Sequence, residues 1–278
     1  MNYDRHDSVA SRVAVCFAVL LLLSGCQPED RIAPRTETSA SARHQAELDE
    51  LDGVVTIRHS LTLGRDRLDP TDPIVDLRPL RALETVSGSV YIKDLDEVTT
   101  LEPLSSLRSI GLTFHIGGND GITTLAPLSN LRDFGNNFVV QYNSRLKSLV
   151  GLEGATDLGS TSVLFVGNDS LESLHGLEGL KSHGDGPGRG FATRFIIANN
   201  RRLSSLRGLE NLRSVGALSI RNAPLLDDLD DLAGLEVAGS ISFASNSGLC
   251  ESEIQAWAKT IEIHGAVVTF KNAVCLER

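Results

Sequence analysis

Histidines, glycines and carboxylates are the side chains with which this chain could do chemistry. The seven histidines are His6, His44, His59, His115, His175, His183 and His264. None has the spacing of zinc ligands, and the sequence contains no Cys-x-x-Cys, no Gly-x-Ser-x-Gly elbow and no Walker loop. His175 and His183 with Asp185 could be imagined as a site, but repeat-edge and loop positions explain them better. We therefore expect no catalytic residue, no metal site and no cofactor, and the chain is not predicted to be an enzyme.

Two further segments could bind ions. The glycine-rich segment GDGPGRG, residues 184–190, is followed by a strand pattern, whereas a phosphate cradle needs a helix after its glycines. A protrusion between repeats and a ligand loop both remain open there. The acidic run Asp227, Asp228, Asp230 and Asp231 would bind calcium only with further convergent oxygen ligands. Solvated charge is the simpler interpretation.

The N-terminus has the pattern of an export signal. Arg5 and Arg12 precede an apolar run, residues 13–23, that is too short to span a bilayer and is followed by small residues. The ending Leu-Ser-Gly-Cys resembles the lipobox of bacterial lipoproteins, which implies cleavage before Cys26 and acylation of that cysteine. In that family, Gln27 after the cysteine implies the outer membrane. An ordinary signal peptide with an incidental Cys26 is the alternative.

The next segment, residues 27–46, is rich in Ser, Thr, Pro and charged residues and has few large apolar ones. Such a composition cannot bury enough surface to offset the entropy of ordering. We expect three parts: a signal peptide at 1–25, an acylated cysteine with a disordered tether at 26–46, and a repeat body at 47–278. A short helix is predicted at residues 45–51, covering the first repeat.

The body is built from leucine repeats. A first leucine recurs at spacings of 24, 24, 24, 25, 32 and 23 residues, and a second follows it three positions later in every repeat. The first leucines are Leu77, Leu101, Leu125, Leu149, Leu174, Leu206 and Leu229. Proline or glycine stands between the two leucines in six repeats, which favours a tight turn or 3₁₀ segment over a regular helix.

Each repeat also contains a strand pattern with two inward-facing apolar residues. The pairs are Val90/Ile92, Phe114/Ile116, Phe138/Val140, Val163/Phe165, Phe195/Ile197, Leu218/Ile220 and Ile241/Phe243, with Val55/Ile57 and Val268/Phe270 as the expected outermost copies. Three residues after the second inward residue stands an asparagine in five repeats: Asn119, Asn143, Asn168, Asn200 and Asn246. We interpret this column as a structural ladder, because an amide can both donate to and accept from neighbouring backbone groups.

This pattern resembles the receptor L-domain branch of leucine-rich repeats. The most specific match is Asn-Ser-Gly-Leu-Cys at residues 246–250, followed by Ile254. The resemblance implies a right-handed L-domain-like β-solenoid, α/β horseshoe-like, with one parallel strand per repeat of about 24 residues and a C-terminal helical cap. It implies a binding scaffold, whereas hormone-receptor signalling does not follow, since no cysteine-rich module, second L domain or kinase is present.

The four cysteines leave one pair for the body. Cys16 lies in the signal and Cys26 is assigned to lipid, so Cys250 and Cys275 remain, and disulfides persist in exported proteins. Between them, residues 251–261 are predicted to form an amphipathic helix that covers the apolar end of the body. Two free thiols binding a metal are the alternative.

The outward face of the strands is the candidate binding site. Its middle is apolar and its ends are polar or small, and contiguous exposed apolar surface marks interaction sites. The candidate residues are Val139, Gln141, Leu164, Val166, Ile196 and Ala198. Two other interpretations stay open: the glycine-rich protrusion folds over these residues, or they are simply good strand formers.

From these patterns we expect a lipid-anchored cell-envelope module that recognises a protein or glycan. A structural envelope scaffold and an accessory subunit of an enzyme are the alternatives. The membrane partner is expected to be reached through the lipid anchor. Nucleic acid is not expected as a partner, because the formal net charge is -10.

Overall fold

Successive repeats lay their strands side by side, and every strand pairing is parallel. The computed structural model describes residues 34–69, 71–156, 158, 161–184 and 193–275. The predicted signal, Cys26 with its lipobox, Asp185 and most of the glycine-rich segment lie outside this part of the chain. The described residues form a sheet-rich α/β fold.

The strands assemble into two open parallel sheets, one of four strands and one of 12. The small sheet contains β1 (Arg35–Glu37), β3 (Val54–Ile57), β5 (Thr85–Val86) and β7 (Ser109–Ile110). The large sheet contains β2 (Ala40–Ala42), β4 (Leu61–Gly64), β6 (Val90–Lys93), β8 (Thr113–Gly117), β9 (Asn137–Gln141), β10 (Ser162–Val166), β11 (Ser182–His183), β12 (Arg194–Ala198), β13 (Ser214–Arg221), β14 (Val237–Ala244), β15 (Glu262–Ile263) and β16 (Val267–Phe270).

The predicted fold class is therefore wrong. A horseshoe-like L-domain solenoid with one strand per repeat does not account for two sheets, since several repeats give one strand to each. Within the described residues only α1 (Gln45–Asp49) and α2 (Glu251–Ala258) are α-helical, so no helical layer faces the strands.

Glycines at the corner between the two sheets give the physical reason for the second strand. A Cβ built on Gly88 would lie 2.2 Å from the carbonyl oxygen of His59, and one built on Gly111 would lie 2.0 Å from that of Ser87. Because only glycine permits such a close approach, the chain can bend sharply there and form a short strand on each side of the corner.

The spacing-three leucines line the core opposite the large sheet, as predicted. All seven first leucines and all seven second leucines are buried. Four of these segments are 3₁₀ helices: Arg78–Leu80, Glu102–Leu104, Ala126–Leu128 and Asp230–Leu232. In the first three, proline occupies the first turn, where its missing N–H leaves no hydrogen bond unmade. The inward strand pairs from Val90/Ile92 to Ile241/Phe243 complete this core.

The predicted asparagine ladder is confirmed. Asn119, Asn143, Asn168, Asn200 and Asn246 are fully buried. Asn143 shows the pattern: its Nδ2 donates to the carbonyl of Ile116 at 3.2 Å, and its Oδ1 accepts from the backbone N–H of Asn119 at 3.2 Å. Each amide thus bridges neighbouring repeats and satisfies backbone groups that the strands leave unpaired.

Two outermost assignments were wrong. The strand register places Leu61 and Leu63 in line with Val90 and Ile92. Val55 and Ile57, which were expected there, belong to the small sheet. At the other end, Phe243 pairs with Thr269, so Val268 and Phe270 face outward and are exposed. The pattern could not decide this, because a slip of one residue moves every side chain to the opposite face.

The N-terminal part of the body begins earlier than expected. Strands β1 and β2 lie inside the segment predicted as a tether, so this part of that segment is folded. The following helix α1 is confirmed and ends at Asp49, with Leu48 buried against the core. At the other end, the predicted disulfide is confirmed between Cys250 and Cys275, whose Cα atoms are 5.5 Å apart. Among the described residues, no helix has the length and apolarity needed to cross a membrane.

Candidate functional site

The six predicted face residues lie together on three adjacent strands of the large sheet. Val139, Leu164 and Ile196 are aligned in register across β9, β10 and β12. One alternation further along the same strands lies a second row, Gln141, Val166 and Ala198. Because alternate residues of a strand face the same side, these six side chains form one contiguous patch, which we call the apolar patch.

The apolar patch is only partly accessible. Five of its residues are half-buried, and Ala198 is 4% exposed. Neighbouring strands of a sheet lie about 5 Å apart, so aligned branched side chains shield one another on a nearly flat surface. A partner would therefore contact the tips of Val139, Leu164 and Ile196 and would contact Ala198 little.

A polar and aromatic cluster lies beside the apolar patch on β6 and β8. The Tyr91 and His115 rings meet edge to face with centroids 5.9 Å apart, and the Nζ of Lys93 lies 4.7 Å from the centre of the Tyr91 ring. Gln141 Nε2 approaches His115 Nε2 at 3.1 Å. Gly117 lies beneath this contact, where a Cβ would be 3.0 Å from the imidazole Nε2.

The electrostatics of this cluster keep His115 neutral. Burial and, to a smaller extent, the positive charge of Lys93 lower the pKa of the His115 imidazole to about 4, while Asp94 acts in the opposite direction. A neutral ring can accept a hydrogen bond from the Gln141 amide at Nε2. The cluster therefore offers neutral hydrogen-bonding groups and an aromatic ring at the rim of the apolar patch.

Strand alternation also puts Tyr91 and His115 on the outward face, although neither is among the six candidate residues. Tyr91 contacts His115, which in turn contacts Gln141, so the cluster extends over three strands. Strand alternation alone carries no information about such contacts. The outward position of two aromatic rings in adjacent repeats was the available signal.

The other sequence candidates are not brought together. His175 is paired with Glu178, whereas His183 is buried and packs edge to face against Phe195 with ring centroids 5.6 Å apart. In the acidic run, Asp228 accepts from the backbone N–H of Asp230 and Asp231 accepts from the Ser205 hydroxyl. Over the part of the chain that the structure describes, no group of three or more His, Cys, Asp or Glu side chains is arranged to hold a metal ion.

No protein-family model matches the chain, and no curated protein matches it.

Proposed function

We propose that this protein is a recognition module of the cell envelope, anchored by a lipid on Cys26 and binding a protein or glycan partner through the outward face of the large sheet. The observation that carries the proposal is the alignment of Val139, Leu164 and Ile196 in one half-exposed row. A contiguous apolar patch on a protein surface commonly serves binding. The flanking Tyr91 and His115 support the same proposal, since aromatic side chains are enriched where partners bind.

The proposed lipid anchor rests on the resemblance of residues 23–26 to a lipobox. The proposed outer-membrane location rests on Gln27, since in lipoproteins a residue of this type after the cysteine favours that membrane. More than one acyl chain gives durable anchoring, whereas a single chain binds a bilayer only marginally.

The test is a pull-down from surface-labelled cells with a soluble form, residues 27–278. The double substitution Leu164→Asp and Ile196→Asp places two charges in the centre of the apolar patch. We expect it to abolish capture of the partner while the circular dichroism spectrum stays that of the folded protein, because both side chains reach the solvent.

Ser219 and Ser242 give a matched control. They continue the same row on β13 and β14, in register with Ile196, but outside the apolar patch. Ser219→Asp with Ser242→Asp should capture the partner as the unsubstituted chain does. Equal capture by both double variants would contradict the proposal and favour a structural envelope scaffold, and loss of the folded spectrum in the first would show that the patch is core.

A further inference from the structure

A second surface feature lies at the carboxyl ends of the strands, next to the outward face. It is a groove of about 610 Å³ that crosses five repeats. Its lining includes the residues directly after β9, β10, β12, β13 and β14, namely Tyr142, Gly167, Asn199, Asn222 and Ser245. The volume falls within the range of small-ligand sites. None of these residues belongs to the apolar patch.

Tyr142 is the unusual residue of this groove. The position after β6 and after most later strands of the large sheet has a left-handed backbone. In the other repeats it is held by Asp94, Gly118, Gly167, Asn199, Asn222, Ser245 and Lys271, none of which is aromatic. Glycine and asparagine adopt this conformation readily, whereas a bulky side chain does so only at a cost in free energy. Tyr142 nevertheless has φ 55° there. The fold therefore does not require a tyrosine, since its own other repeats do without one.

The Tyr142 ring is supported from one side and open on the other. A Cβ built on Gly167 would lie 2.6 Å from Cδ1 of Tyr142, so the ring rests against the glycine of the next repeat. The residue is 57% exposed and lines the groove. Among the described residues its hydroxyl makes no hydrogen bond. The result is a fixed aromatic surface that faces solvent.

Planar polar groups line the rest of the groove. Asn222 Nδ2 donates to Asn199 Oδ1 at 2.7 Å, and the guanidinium of Arg201 lies 3.8 Å from a carboxylate oxygen of Asp169. These pairings orient the side chains without using all their donors and acceptors. An amide oxygen, an amide nitrogen and parts of the ion pair remain available to a ligand.

We propose that this groove binds a neutral oligosaccharide. The apolar C–H face of a pyranose ring packs on an exposed aromatic ring, while adjacent hydroxyls, each both donor and acceptor, match paired amides and an Arg–Asp pair. Acidic sugars are disfavoured as ligands, because the chain itself has a formal net charge of -10. An extended peptide would pair with a free sheet edge, whereas this groove crosses the ends of paired strands. The inference goes beyond the proposed recognition function, because it adds a second binding site, with a named ligand class, outside the apolar patch.

The test is calorimetric titration of the exported chain carrying Cys26→Ser with maltotriose, cellotriose, chitotriose and sialyllactose. At least one of the three neutral sugars should bind. Tyr142→Asn should weaken its binding about tenfold or more, the equivalent of about 1.4 kcal/mol, because the stacking surface is lost. Tyr142→Phe should bind within about threefold of the original chain, since it keeps the ring.

Tyr142→Asn is not expected to impair folding, because it gives residues 142–143 the Asn-Asn pair that the chain already has at residues 199–200. Its unfolding midpoint should be no lower than that of the original chain. The apolar-patch variant Leu164→Asp with Ile196→Asp should bind the sugar unchanged, which separates failure of this site from failure of the patch. Binding of sialyllactose alone, binding of none of the three neutral sugars, or undiminished binding by Tyr142→Asn would overturn the proposal.

Discussion

His115 illustrates how a single residue of the outward face ties stability to pH. Burial and Lys93 hold its folded-state pKa at about 4, below the usual value of about 6.5. Between these two values the unfolded chain binds more protons than the folded one, so the free energy of unfolding falls as the pH falls. Because the ring is partly solvated, we expect a loss of about 1–2 kcal/mol rather than the full shift. Urea unfolding at several pH values from 7 to 4.5 measures it.

His115→Gln should make that pH dependence shallower, since it keeps an uncharged hydrogen-bonding group next to Gln141. His264→Gln is the matched control, because His264 is exposed and lies on the surface near Glu262. The expectation fails if His115→Gln retains the whole slope, or if His264→Gln removes as much of it.

At the scale of the element, α2 closes the core at the C-terminal end. Ile254 is buried, and Trp257 packs edge to face on Phe243 with ring centroids 5.7 Å apart. The disulfide joins Cys250, at the start of α2, to Cys275, 25 residues later. Cys250→Ser with Cys275→Ser should lower the free energy of unfolding by about 3 kcal/mol in the chain-entropy description of such a loop.

Reductant supplies the control for the disulfide. Treated with dithiothreitol, the chain with both cysteines should unfold at the same denaturant concentration as the double variant, and the variant itself should not respond. Thiol titration of the denatured body without reductant should find neither Cys250 nor Cys275 reactive. A reductant-insensitive unfolding midpoint would show that the covalent link adds nothing to the packing of α2.

At the scale of the whole molecule, the asparagine ladder joins the repeats but is interrupted once. Asn168 donates its backbone N–H to Asn200 Oδ1 at 2.9 Å, and Ala223 donates to Asn246 Oδ1 at 3.1 Å. Ala223 occupies the ladder position between Asn200 and Asn246. It has no side-chain amide that could accept a hydrogen bond from the backbone N–H of Asn200. Ala223→Asn should supply it and raise the free energy of unfolding by about 1 kcal/mol.

Hydrogen exchange distinguishes this effect from general packing. In Ala223→Asn the backbone N–H of Asn200 should exchange more slowly, while that of Asn143 should not change. Asn143→Ala is the reciprocal variant: it leaves buried backbone groups unpaired and should cost about 2–3 kcal/mol. A less stable Ala223→Asn protein would mean that the larger side chain does not fit where Ala223 is now buried.

Local features were predictable because each depends on residues within a single repeat. Burial of the leucines, 3₁₀ geometry next to proline and the inward strand pairs each depend on residues a few positions apart. The asparagine column was also predictable, since the same residue type recurs at one position of five repeats. For the candidate site, alternation sufficed to put Val139, Leu164 and Ile196 on one face, whereas the half-burial of the row and the contact of His115 with Gln141 depend on neighbouring strands.

The sequence by itself determined the repeat, its buried core, the ladder and the pairing of Cys250 with Cys275. Only the tertiary structure decided that the strands divide into two sheets, that Thr269 rather than Val268 faces the core side, and that Tyr142 opens onto a groove with Asn199 and Asn222. The physical reason is the difference in sequence separation between the interactions involved. Periodicity records which side chains avoid water along one repeat, whereas sheet division, register and grooves depend on hydrogen bonds and close approaches between repeats that no local pattern specifies.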